Sequence, residues 1–362
     1  MPMLAVGDLN LDHRPGASTL SARIGAELAW VEIRAPREVR ERLRPDIAPF
    51  AAIAIAMGAL SGSAVEIEAP VDDEYWTALT GGFAPFVSAL FGKPEIALRR
   101  AGRRPAGKPS GETALLFSAG IDSFYSRKVL RGAGVTPRWY VNINAGAHDF
   151  DRACWDVRLR NVRAVADHDG APLIVIDTNF HEVLKLDHVR SHLIRNLSAA
   201  FALAPAASHF VYSSACSFPD ISFENGKTRG IAYLDHTVIS TMTPSGLAVS
   251  VLGWEANRIA KVRAVADDPV VRAFLDVCIN QTYQSSRSDD DPMNCGVCAK
   301  CLHTMLTLDR IGKREAFAAK FCWPEDTDER QARLDRLARD GLGLSAKFYE
   351  WALESAPETV DA

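Results

Sequence analysis

Residues 113–130 read TALLFSAGIDSFYSRKVL, and this stretch decides how the rest of the chain is read. Residues 113–117 have the length and apolar content of a short buried strand, 118–123 those of a turn, and 124–130 those of the first turns of a helix. Where a strand hands over to a helix, several backbone N–H groups point at one spot without partners, and the helix dipole adds partial positive charge there. Such a turn suits phosphate. Gly120 is expected to supply the positive φ and the close backbone approach, and Ser118 and Ser123 the hydroxyl donors. Asp122 sits where a carboxylate caps the helix or, beside phosphates, helps to hold Mg2+. No lysine closes the turn as in G-x-x-x-x-G-K-[ST], so this is not a Walker A loop.

Beyond the turn, short apolar runs at 139–144, 173–177, 210–213 and 247–252 alternate with helical patterns at 155–167 and 192–203. That alternation predicts an α/β fold with a doubly wound, mostly parallel sheet. Ligands in such sheets bind beyond the carboxyl ends of the strands. The rule points to Ser118, to 142–148 with Asn142 and His148, to Thr178 and Asn179, and to Ser213 and Ser214. Asn142 and Asn179 are therefore expected to contact a nucleotide. Arg258 and Lys261 lie three apart on one helix face and are the candidate cations for phosphate.

Upstream, residues 1–98 read as a separate α+β module, with strands at 28–33 and 64–69 and helices at 36–60 and 72–91. Residues 99–111, RRAGRRPAGKPSG, read as a linker; Arg103, Arg104 or Lys108 reaching phosphate is the alternative to a solvated tether. The α/β domain is expected over 112–265, a cysteine region over 266–322 and a helical tail over 323–362. In that tail one helix is expected around 329–339 and a second carrying Phe348, Trp351 and Leu353.

With 362 residues, 48% of them hydrophobic, the chain can bury a substantial core. With a net charge of -4, nothing marks the whole chain as a nucleic-acid or membrane-surface binder, although local basic patches and tRNA stay open. The longest apolar run, 47–60, falls short of the ~20 residues of a membrane span and predicts a buried helix. No basic segment followed by an apolar run opens the chain, so a cytoplasmic location is expected. Seven cysteines in a reducing compartment point to metal or catalysis before disulfides. Residues 294–302 read NCGVCAKCL and place Cys295, Cys298 and Cys301 at C-x2-C-x2-C, a spacing that bends thiolates around one zinc ion at about 2.3 Å. Cys278 is the expected fourth ligand, with His303 and Cys322 in reserve.

The turn resembles the S-G-G-x-D-S loop of the PP-loop ATP pyrophosphatases, with Ala119 in place of the first glycine. Together with the Arg-x-x-Lys helix and the Cys plus C-G-x-C-x-x-C cluster, it resembles the 7-cyano-7-deazaguanine synthase-like branch of that family over roughly residues 112–310. The resemblance implies a PP-loop (HUP-type) fold in which Ser118, Ala119, Gly120, Asp122 and Ser123 cradle the pyrophosphate of ATP. It implies Arg258 and Lys261 as phosphate cations, and Cys278, Cys295, Cys298 and Cys301 as ligands of a structural zinc. In that family a carboxylate attacks the α phosphate, and the acyl adenylate then takes ammonia to give an amide or a nitrile. The partners so implied are ATP, Mg2+ and a small-molecule, peptide or protein carboxylate; a homodimer is compatible. Departures are Ala119, the long spacing from Cys278 to Cys295, and Asn142-Ile143-Asn144-Ala145-Gly146-Ala147-His148 where the synthase carries a tyrosine-glycine-glutamine signature. The other readings are a tRNA sulfurtransferase with a cysteine-bound cluster and a nucleotide-binding protein that has lost catalysis.

Overall fold

In the computed structural model, which describes residues 2–108, 111–146, 152–288 and 290–324 together with 328, 329, 332, 333 and 335, the chain opens with an antiparallel meander. Its strands are β1 (Met3–Arg14), β2 (Ala17–Ile24) and β3 (Glu27–Arg34). Gly16 and Gly25, at φ of 82° and 58°, make the two tight turns. A helix, α1 (Ala48–Ser61), leads to β4 (Ala64–Val71), which pairs parallel with β1. Because α1 is apolar all round it must be buried, and Pro49 at its start and left-handed Gly62 at its end bound it. The apolar run at 47–60 is thus a core helix.

The parallel half follows with β6 (Thr113–Leu116), β7 (Trp139–Asn144), β8 (Leu173–Thr178), β9 (His209–Ser213) and β10 (Ala248–Leu252). Between them run α2 (Ile121–Gly132), α3 (Arg152–His168), α4 (His188–Ala200) and α5 (Asp235–Met242). After β10 come α6 (Arg258–Val265) and α7 (Ala299–Arg310). Strand order reverses between β6 and β9, which lie side by side while β7 and β8 extend one way and β10 the other. The turn after β6 therefore sits at the crevice where ligands bind in such sheets.

The two halves share one sheet. Its ten strands among the described residues, with β5 at Leu98–Arg103, run β10-β9-β6-β7-β8-β3-β2-β1-β4-β5, because β3 pairs antiparallel with β8. One hydrophobic core joins Val6, Phe50 and Phe83 to Ile176, Leu197 and Met242. The expectation of a separate module over 1–98 gives way to this continuous sheet. The expected linker also changes: Leu98–Arg103 is strand β5, paired with β4. Its arginines serve the amino-terminal half, since Arg104 forks onto Asp46 at 2.7 and 3.1 Å and Arg100 pairs with Asp73. Arg104 is thereby committed to Asp46 in the amino-terminal half. The helix expected over 36–60 breaks at 41–47, where Pro45 cannot continue it and Asp46 accepts the Ala48 N–H at 2.9 Å.

A second core beneath the opposite face joins α2, α6 and α7 to the cysteine region. No helix among the described residues is long and apolar enough to cross a membrane. His148, Asp149 and most of the expected tail helices lie outside the described residues.

Candidate functional site

The turn after β6 brings together residues far apart in sequence. Asp122, in the first turn of α2, accepts from Arg258 Nη1 at 3.1 Å through one oxygen and from Lys261 Nζ at 3.1 Å through the other. Lys261 also donates to the Ser214 carbonyl at 2.7 Å, beyond the end of β9, and its side chain is only 1% exposed. Room for it depends on Gly253, where a Cβ would lie 3.3 Å from Nζ. Burial raises the Asp122 pKa, but the charges of Arg258, Lys261 and Lys300 outweigh it and hold the carboxyl below its usual range. Arg258 Nε is buried and has no acceptor among the described residues. The amino end of α2 has no side-chain cap, which leaves its first N–H groups facing the same place.

The loop's backbone differs from the expected one. Gly120 is extended at φ -83°, and the left-handed residue is Ala119 at φ 58°. A Cβ on Gly120 would meet Ser118 Oγ at 3.3 Å, so its glycine serves space and not φ. The left-handed conformation costs Ala119 roughly 1–2 kcal/mol. Its fully buried methyl returns about 0.8 kcal/mol, and alanine starts from an unfolded state less entropic than glycine's by about 0.4–1 kcal/mol. These contributions nearly cancel. Ala119→Gly is therefore expected to shift stability by less than about 1 kcal/mol in a denaturant titration. A change above about 2 kcal/mol would show that another contact fixes the turn.

The remaining expected contacts divide. Ser118 is exposed at the loop, with its hydroxyl available to a ligand. Ser123 is buried and braces the turn: its Oγ donates to Gly120 O at 2.9 Å and accepts the Ser118 N–H at 3.4 Å. Asn142 and Asn179 stand at the carboxyl ends of their strands, but their amides are bound to protein. Asn142 donates to Phe117 O at 2.9 Å and accepts from Trp155 Nε1 at 3.0 Å. Asn179 ties β3 to β8, accepting the Trp30 N–H at 2.9 Å and donating to Leu28 O at 2.8 Å. Each amide thus has one N–H and one oxygen lone pair engaged by protein, and both residues brace the sheet edge. An open cleft of about 630 Å3, lined in part by Arg34, Arg163 and Asp167, lies at the amino end of β8, away from this edge.

The cysteine region forms the second part of the site. The Sγ atoms of Cys278, Cys295, Cys298 and Cys301 all lie within 4.8 Å of one another. Cys295 and Cys301 are 3.9 Å apart, close to the ~3.8 Å edge of a tetrahedron with 2.3 Å bonds. Hydrogen bonds among the thiols pull Cys278 and Cys298 down in pKa and push Cys295 and Cys301 up. Four thiolates this close together repel one another, and a cation between them would offset that repulsion. Backbone N–H groups of Val297 and Cys298 point at the Cys295 sulfur at 3.4 and 3.3 Å, and that of Ile279 at the Cys298 sulfur at 3.5 Å. Gly296, at φ 68°, is required in this knuckle because a Cβ would lie 1.9 Å from Cys322 O. Cys322 itself contacts Tyr283 Oη at 3.2 Å, outside the group of four. Cys278 is reached through an extended segment, since the helix before it ends at Phe274. These four residues fit a single tetrahedral metal ion such as zinc.

Compared with known families and curated proteins, the chain matches no family model and no curated sequence. The site therefore rests on its own geometry.

Two contributors carried no signal in the sequence. Lys300, inside the Cys298–Cys301 spacing, is open to solvent yet surrounded by enough protein that desolvation and the Arg258 charge lower its pKa, against the pull of Asp122. Asp276, 4% exposed, donates its backbone N–H to Ala119 O at 2.9 Å and accepts from Arg158 at 2.8 Å through its side chain. Burial pushes its pKa up even though Arg158 opposes this.

Proposed function

We propose that the protein is an AMP-forming ATP pyrophosphatase of the PP-loop kind, which activates a carboxylate acceptor for amide- or nitrile-type ligation. The observation that carries this reading is the meeting of Asp122, Arg258 and Lys261 at an uncapped helix N-terminus, at the crevice of a parallel sheet. Cations and N–H groups converging there match the charge that develops on a departing pyrophosphate. An acceptor carboxylate attacks the α phosphorus, the bond to the bridging oxygen breaks, and pyrophosphate leaves with that electron pair. Arg258, Lys261 and the first N–H groups of α2 stabilise the new charge more in the transition state than in bound ATP. A carboxylate is already nucleophilic at neutral pH, so no strong base is required. Both oxygens of Asp122 are engaged by cations, so the residues present offer Mg2+ no ready cage, and the ion would enter on the phosphates.

Cys278, Cys295, Cys298 and Cys301 would hold zinc with no open position, a structural role. The closeness of the four sulfurs favours one ion over an iron–sulfur cluster, whose irons and sulfides would hold the cysteines apart. This disfavours the tRNA sulfurtransferase reading. Incubation with α-labelled ATP and cell extract is expected to release AMP and pyrophosphate and to transfer label to the acceptor. Steady release of ADP and phosphate would overturn the reading.

A further inference from the structure

Between the cysteine cluster and the loop runs one short segment, 275–279, held at both ends. Its Asp276 N–H bonds Ala119 O, the carbonyl of the left-handed residue, at 2.9 Å. Two residues on, Cys278 supplies a sulfur to the cluster, and the Ile279 N–H points at Cys298 Sγ. Arg158 clamps the segment from α3, donating to Asp276 Oδ1 at 2.8 Å and to the Cys278 carbonyl. The fully buried Asn294, one residue before Cys295, holds it from the other side: it accepts the Val277 N–H at 2.8 Å and donates to Leu275 O at 3.0 Å. A segment fixed at each residue transmits displacement and does not absorb it. From the same cluster α7 starts at Ala299, packs against the Arg258 helix α6, and carries Lys300 within electrostatic reach of Asp122.

We propose that the cysteine-bound metal positions the nucleotide loop through Asp276 and Arg158, so that metal occupancy and nucleotide binding are thermodynamically linked. The proposal rests on the adenylation reading. Asp276 and Arg158 are positioning residues, since they act through the Ala119 carbonyl. Without the metal, Cys278 loses its anchor, the segment relaxes, and the loop N–H groups no longer converge. Linkage requires the converse: a nucleotide that fixes the loop must tighten the metal by the same factor.

The test uses zinc-loaded full-length protein and α,β-methylene-ATP, which cannot be cleaved between its α and β phosphates. Apparent zinc affinity is measured by competition with a chromogenic chelator, with and without saturating nucleotide and at constant Mg2+. The expected result is about fivefold or tighter zinc binding with nucleotide, the lower range of measured couplings. Arg158→Ala, with Arg158→Lys as the milder variant, should cut the effect below about twofold while zinc stays at one per chain and nucleotide still binds. Nucleotide that binds wild-type protein without changing zinc affinity overturns the linkage alone. Failure of the nucleotide to bind overturns the adenylation reading and the linkage with it.

Discussion

Lys261→Met is expected to lower the rate of pyrophosphate release by about 10²–10³-fold, the loss seen when one preorganised donor to a developing anion is removed. Stability should change little: the Ser214 carbonyl loses a donor, but an ammonium no longer has to be buried. Asp122→Ala should behave in the opposite way. It leaves Lys261, whose side chain is 1% exposed, without a counter-charge, and a broken buried pair costs about 3–5 kcal/mol. Circular dichroism melts and a pyrophosphate assay on both variants separate the two roles. If Lys261→Met melts early but keeps its activity per folded molecule, the lysine is a structural cation and the phosphate site lies elsewhere. Acid acts on the same triad. Because the folded Asp122 pKa lies below its ordinary 3.8, its stabilising contribution is complete above about pH 4 and is lost as pH falls through the lower folded value.

Cys298→Ser is expected to abolish metal binding and to lower the yield of soluble protein steeply, while the first core, which contains none of the four cysteines, keeps a fraction folded. A structural zinc site contributes about 10–16 kcal/mol in small domains that have no other core. The second core is built over this cluster, with Cys278, Cys295 and Cys301 packed among Phe317, Phe321 and Met305. Metal analysis should find one zinc per chain in colourless wild-type protein. Cys322→Ser, which removes only a thiol touching Tyr283, should keep that zinc. Iron and labile sulfide in a brown protein, or a soluble Cys298→Ser variant with its metal intact, would restore the sulfurtransferase reading.

What the sequence disclosed depended on how local each signal is. Strand β7, WYVNIN, was legible to the residue because its apolar run is buried. Strands β1 and β2 were not, since β1 is mostly half-buried or exposed and carries Asp8, Asp12 and His13 among its apolar residues. The three clustered cysteines announced themselves by spacing. The approach of Asp122 to Arg258 and Lys261 followed from the expected phosphate chemistry, although 136 residues separate Asp122 from Arg258. The protein partners of Asn142 and Asn179 were not legible: a strand-end position does not reveal which way an amide turns. Their partners, Trp155 for one and the β3 backbone for the other, are set by packing. The left-handed Ala119 broke the expectation of glycine because nothing in the sequence declares the Asp276 contact that fixes its carbonyl.

The antiparallel seam between β3 and β8 sets a timetable for synthesis. Trp30 and its partner Asn179 are 149 residues apart, so at about 5–20 residues per second the ribosome needs roughly 7 to 30 s to deliver one after the other. Throughout that interval the nascent meander β1–β2–β3 presents an unpaired strand, with Val31 and Ile33 on its apolar side, to every neighbouring chain. Synonymous changes that slow translation between residues 35 and 172 would lengthen this exposure and raise the aggregated fraction without altering a single residue of the folded protein.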